Sequence, residues 1–163
     1  MKRLAWISVG IVAIDQLIKS VLLIMLTGGV PVAGDAFSLI PYPYIIAPVF
    51  DFFNIVFTWN PGTAFSLFRA LGESAPMILT VITAAIIVLL IWMAKKNPSD
   101  RLPLALIIGG AIGNLIDRIR FGAVIDFLDL HIGAWHWPAF NFADICICFG
   151  VALYVWGMLK KKK

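Results

Sequence analysis

Asp117, Asp126 and Asp144 stand close together in the C-terminal half of a chain that is 61% hydrophobic and only 13% charged. An ionisable side chain inside hydrocarbon costs roughly 3 kcal/mol on insertion scales, so its default reading is functional. Two carboxylates held near one another cannot both ionise cheaply and come to share one proton. Such a pair can draw a proton from water with one member while the other polarises a carbonyl.

The elements that position them are membrane spans. A mean hydropathy of +0.96 over 163 residues describes an integral membrane protein, with room for four or five spans and one sizeable loop. Four are read: about Leu4–Leu26, Pro76–Ala94, Leu102–Ile119 and Phe140–Leu159. Ser74 ahead of Pro76, and Ser99 and Asp100 ahead of Pro103, are expected to cap the second and third helices, and Pro138 precedes the fourth. Met1-Lys2-Arg3 before an apolar run imitates a signal peptide. Asp15 and Lys19 interrupt that run and no small-residue cleavage site follows, so it is kept as the first span.

Between the first two spans, the segment from about 27 to 75 carries Pro41, Pro43 and Pro48, which rule out a crossing helix. Its aromatic and β-branched stretch Val49–Thr58 predicts short strands. The fold class is therefore an all-α membrane protein, a four-transmembrane-helix bundle with a small extracytoplasmic β-platform, folded as a single unit over 1–163. Nine of the 13 basic residues (Lys2, Arg3, Lys95, Lys96, Arg101 and Lys160 to Lys163) fall on one side of four spans, which puts both termini in the cytoplasm. The net charge of +4 is thus a topology signal, with no call for nucleic acid. Trp59, Trp135, Trp137 and the Tyr42–Tyr44 stretch are expected in an outer aromatic belt. Cys146 and Cys148 point to nearly opposite helix faces and read as small apolar fillers.

Depth along the helices gathers the polar residues. At 1.5 Å per residue Asp15 and Lys19 lie roughly 16 and 22 Å above Leu4, and Asn114 and Asp117 roughly 18 and 22 Å above Leu102. Asp144 lies about one turn below the outer end of the descending fourth helix. All converge on the outer third of the bilayer. Asp15 and Lys19, spaced i and i+4, share a face, as do Asn114, Asp117 and Arg118; both sets also suit plain helix-to-helix contacts. Gly109 and Gly113 form a small-xxx-small packing pair. Two histidines without clustered thiols give little prospect of a metal site.

Five ordered blocks carry a resemblance: Asp15-Gln16-Leu17-Ile18-Lys19, Asn60-Pro61-Gly62-Thr63-Ala64-Phe65-Ser66, Gly109 through Arg118, Val124-Ile125-Asp126-Phe127, and Pro138 through Asp144. In order, spacing and position the chain resembles the lipoprotein signal peptidases, also called signal peptidase II. That resemblance implies an aspartyl endopeptidase of the bacterial inner membrane, without metal or other cofactor. Its substrate would be a diacylglyceryl-modified prolipoprotein, cut just before the lipidated cysteine, and its inhibitors would be of the globomycin type. Membrane lipid is the other expected partner, and the enzyme is expected to act as a monomer. By motif, Asp126 and Asp144 look like the catalytic pair. Asn60, Asn114, Arg118 and Asn141 would orient the substrate backbone and the pair, with Asp15, Lys19 and Asp117 as an outer, partly structural shell. Pro61, Thr63 and Ile145 depart mildly from the family pattern, and Ile145 could narrow the pocket.

Two other classes fit some of the same residues. A proton-coupled transporter would want a polar path to the cytoplasmic side, whereas the inner half of each span is apolar. A non-catalytic assembly protein leaves aspartates at the outer boundary without a role. The topology is directly testable. Reporter fusions after Lys163 and near Lys96 should read cytoplasmic and one within 28–34 external, and an external C-terminus would overturn the four-span reading.

Overall fold

The computed structural model describes residues 1–27, 44–62 and 75–161. Four long helices form the bundle: α1 (Lys2–Thr27), α2 (Ala75–Lys96), α3 (Arg101–Phe121) and α4 (Phe142–Lys161). Each is long and apolar enough to cross a membrane. A single 3₁₀ turn, Pro98–Asp100, leads into α3. Asp100 occupies the N-cap position of α3 but makes no side-chain capping bond there, contrary to expectation; it accepts a hydrogen bond from Ser99 at 3.0 Å. The expected cap at Ser74 lies outside the described residues.

Helix α3 packs against each of the other three helices, and small residues are what let it do so. A Cβ on Gly109 would come within 2.9 Å of Ile11 in α1. One on Gly110 would meet the backbone carbonyl of Ala143 in α4, and one on Gly113 would meet the Asp15 carboxylate at 2.6 Å. From the other side, Gly150 of α4 lies against Pro103 and Ile107 of α3. The small-xxx-small expectation is met, with α1 as its partner. Toward the basic ends of the helices the core is aliphatic, built from residues such as Leu4, Ile87, Leu104 and Ile108. Ser8, a polar residue in this half of the bundle, is buried with its hydroxyl donated to the Ala105 carbonyl at 2.9 Å. The other faces of α1, α2 and α4 expose large apolar side chains such as Leu17, Val88 and Val155, as lipid-facing helices do.

Four antiparallel strands, β1 (Tyr44–Phe50), β2 (Phe53–Asn60), β3 (Val124–Ile132) and β4 (Trp135–His136), make one sheet in the order β1-β2-β3-β4. Half of the strands therefore come from the α3–α4 connection and not from the 27–75 segment that predicted the platform. Gly122, at φ 74°, supplies the left-handed stop to α3, its N–H bonding to the Arg118 carbonyl at 3.0 Å. The chain thus turns from helix straight into β3, and β3 pairs with β2 from Asn60↔Val124 to Phe53↔Leu130.

Trp59 is not in an interfacial belt. It is 2% exposed, edge-on to Phe57 and 5.4 Å from the Phe121 ring, in the core that joins sheet to bundle. Trp135 and Trp137 are exposed, as a belt position requires. Tyr42 and the Tyr44 side chain lie outside the described residues. Cys146 is buried as a filler should be, whereas Cys148 is exposed.

The tight α3–α4 crossing has a measurable consequence. Gly110→Ala should lower unfolding free energy by about 1–3 kcal/mol, because the added methyl meets backbone that cannot swing aside. Thermal melts in detergent check this; a parental melting temperature would contradict the crossing.

Candidate active site

Asp126 arrives on β3 and Asp144 on the first turn of α4. One residue, Asn141, holds both of these carboxylates, and Asn114 braces it. Asn141 is the N-cap of α4: its Oδ1 accepts from the Asp144 N–H at 2.9 Å, and its own N–H donates to Asp144 Oδ2 at 3.1 Å. This is a capping box with aspartate in the place usually held by glutamate. The Asn141 side-chain amide then reaches back to Asp126 Oδ1 at 2.7 Å. Asn114 on α3 accepts from that same amide at 3.1 Å and donates to Asp144 Oδ1 at 2.8 Å.

The other oxygen of Asp126 accepts from the Asn60 amide at 2.9 Å. Asn60 and Thr58 share a face of β2, and Thr58 stands directly opposite Asp126, so the amide reaches it diagonally across the sheet. Asn60 Oδ1 is taken up by the Gly62 N–H at 2.9 Å, which fixes the amide's orientation; Gly62 has φ 94°, a value suited to glycine. Phe140 is pinned to β3 through Leu128, with bonds of 2.8 and 3.1 Å, and this fixes the residue just before Asn141. Burial first, and then the nearby Asp144, push the Asp126 carboxyl up to about 7 against the Asn60 and Asn141 hydrogen bonds and Lys19, which pull the other way.

Behind the pair, Lys19 Nζ lies 2.8 Å from Asp15 and 2.7 Å from Asp117, all three side chains at most 2% exposed. Its third contact is Asn114 Oδ1 at 3.2 Å. Depth along the helices placed these residues at one level, and they are in contact. Arg118, expected on the same face, points its charge toward Asp144, Asp126 and Asp117. Its buried Nε makes no hydrogen bond to any described residue. Arg120 bonds instead to Gln16 at 3.4 Å and stacks over Phe121.

Asp129 belongs to a different cluster. Successive residues of a strand face opposite ways, so Asp129, three on from Asp126, faces away from it, and it is held by Asn54 at 2.9 Å and by His136 Nδ1 at 2.9 and 3.0 Å. Its burial opposes ionisation, but the His136 and Asn54 hydrogen bonds outweigh that and hold its carboxyl below the usual range. Gln16, to which the sequence assigned no role, donates to Asp117 at 2.8 Å and to Asp15 at 3.3 Å. The signal available was a polar amide inside a span, between two charged positions. An apolar cavity of about 440 Å³ opens beside Asp144, walled by Leu130, Trp137, Phe140, Ile145, Cys148 and Phe149. Ile145 thus forms part of its wall, and Thr63 to Ser66 lie outside the described residues.

Four apolar spans, with two carboxylates joined through Asn141 at one end of the bundle, define a polytopic membrane protein. The chain belongs to the signal peptidase II family: the family described as Signal peptidase (SPase) II matches residues 7–160. It is similar to a lipoprotein signal peptidase of Polynucleobacter necessarius, 49% identical over 117 residues, covering 70% of this chain and 72% of that protein. A lipoprotein signal peptidase of Syntrophus aciditrophicus is 42% identical over 164 residues, covering 89% of this chain and 97% of that one. Among solved structures, a bacterial membrane enzyme determined by the in meso method at 2.3 Å resolution matches with TM-score 0.72 and 29% identity. That match covers 100% of this chain and 91% of the other.

The capping box makes the site's stability measurable apart from its chemistry. Asn141→Ala should cost about 0.5–2 kcal/mol from the lost cap alone. Chemical or thermal unfolding in detergent reads this, and an unchanged stability would show that α4 does not need the cap.

Proposed function

We propose that Asp126 and Asp144 are an aspartyl-protease dyad that removes the signal peptide from a diacylglyceryl-modified prolipoprotein, cutting before its lipidated cysteine. The observation that carries the reading is that two carboxylates from separate elements are gripped by one residue, Asn141, beside an apolar cavity at the end of a bundle made for lipid. Asp126, raised to about 7, carries the shared proton below that pH and donates it toward the scissile carbonyl oxygen. Asp144, receiving hydrogen bonds from Asn114 and Asn141, takes the proton of a water held between the two carboxylates. That water attacks the carbonyl carbon to give a diol; as the diol collapses the C–N bond breaks, Asp144 gives its proton to the departing amine and Asp126 takes one back from a diol hydroxyl.

Arg118, with a buried Nε unclaimed by the described residues, supplies a donor for the substrate main chain. The cavity walled by Ile145 and Phe149 takes an apolar part of the substrate, which enters sideways from the bilayer. Globomycin-type inhibitors would occupy the same place. Orientation follows the basic residues, with both termini cytoplasmic and the dyad near the outer face. Lys96 over the Trp92 ring at 4.0 Å and Lys160 over the Trp156 ring at 5.2 Å support this as aromatic and cationic anchors at one membrane surface.

The test is a gel shift of lipid-modified precursor incubated with purified protein. Asp126→Asn and Asp144→Asn should each lose more than about 100-fold in activity, at least about 2.7 kcal/mol of transition-state stabilisation, with near-parental melting. Asp129→Asn should keep most activity, since its partners are Asn54 and His136. A loss at Asp129 exceeding that at Asp126 would sink the assignment.

A further inference from the structure

Lys19, Asp15 and Asp117 form a buried group that does not touch the dyad carboxylates, yet each of its acids grips main chain at a telling place. Asp15 accepts from the Ala143 N–H at 3.1 Å, and Ala143 is the residue immediately before Asp144. Asp117 accepts from the Ile125 N–H at 3.2 Å, and Ile125 is the residue immediately before Asp126. Both acids are drawn to one ammonium, at 2.8 and 2.7 Å. The third contact of Lys19, to Asn114 Oδ1, points the Asn114 amide nitrogen at Asp144.

We propose that Lys19, with Asp15 and Asp117, is a clasp whose job is to fix the separation and facing of the two dyad carboxylates, making these three positioning residues for the reaction. The clasp joins α1, α3, β3 and α4, four segments that no local hydrogen bonding would hold in common register. Geometry explains why it grips the backbone. The Ala143 N–H lies in the first turn of α4, where helical N–H groups lack helical acceptors. A carboxylate there also suits the helix N-terminus. A polar group so deep in the bundle must be paired, so the grip is strong in both directions. Gln16 closes the remaining side by donating to both acids. Gly113 leaves the space that the Asp15 carboxylate fills.

The inference rests on the dyad reading above, and the experiment separates the two. In the full chain reconstituted in nanodiscs, with lipid-modified precursor as substrate, Lys19→Met should lower kcat on the order of 10²-fold while KM stays near parental. The alkaline limb of the kcat profile should also move to higher pH, because the Lys19 charge favours ionised Asp126. The other groups facing Asp126 are Arg118 and Asp117 on α3, Asp144 and Asn141 at the start of α4, and Asn60 on β2, all retained in this variant. Gly113→Ala removes no charge but pushes the Asp15 carboxylate aside, its Cβ falling 2.6 Å from Oδ2. It should lower kcat on the order of 10-fold at parental KM with the alkaline limb unmoved. Parental kcat and pH profile in both variants, with only the melting temperature reduced, would overturn the clasp as a positioning device. If Lys19→Met fails to fold, Gly113→Ala decides alone: reduced kcat supports the clasp and parental kcat overturns it. Active Asp126→Asn and Asp144→Asn would instead defeat the dyad reading itself.

Discussion

Charge held out of water is the constraint on which this structure depends. Asp15, Lys19, Asp117 and Asp126 are at most 2% exposed in a chain built to sit in hydrocarbon. A lone ion there is untenable, so each is tied to several partners. The ties are what give this end of the bundle its shape. Lys19 brings α1 to α3, Asp15 brings α1 to α4, Asp117 brings α3 to β3, and Asn141 brings α4 to β3. Apolar packing explains why four helices assemble in lipid; the buried polar network explains why their ends nearest the sheet meet in one arrangement.

Asn141 shows how folding and chemistry share a residue. Its backbone starts α4, its side chain caps that helix, and the same side chain holds Asp126. A helix N-terminus leaves N–H groups open, and here Asp144, Asn141 and Asp15 take up that local demand. The Asp144 carboxylate is thereby part of the helix cap. The strand side is built differently, with Gly122 ending α3 and Asn60 reaching diagonally across the β2–β3 pair. Two unrelated local devices thus deliver two carboxylates to one place.

Much of this was legible in the sequence, for reasons that differ by element. The four spans could be read because twenty apolar residues in a row have few alternatives in water. The meeting of Lys19 with Asp117, and of Asn114 with Asp144, followed from helical rise alone. The pairing of β3 with β2 did not, since strand partners far apart in sequence leave no local trace, and the sheet was assigned to 27–75 alone. Trp59 was placed at the lipid interface because its aromatic, amphipathic type fits both a belt and a core; only the β2–α3 packing decides. The Asn141 cap was hidden by the aspartate that replaces the usual glutamate three residues on. Ile145 and Cys148 became cavity walls by position on α4, which composition does not reveal.

The central claim is that burial and a facing carboxylate hold one proton on Asp126 up to about pH 7. The sign is that of a raised carboxyl: the protonated folded form is favoured below the ordinary aspartate range, and its stabilisation is lost as pH rises through about 7. Infrared difference spectra of protein labelled with ¹³C-carboxyl aspartate, titrated in nanodiscs, observe that proton directly. The account predicts a protonated-carboxyl band that persists at pH 6, fades with a midpoint near 7 and is missing from Asp126→Asn. A midpoint near 4, or a band unchanged by Asp126→Asn, would contradict it.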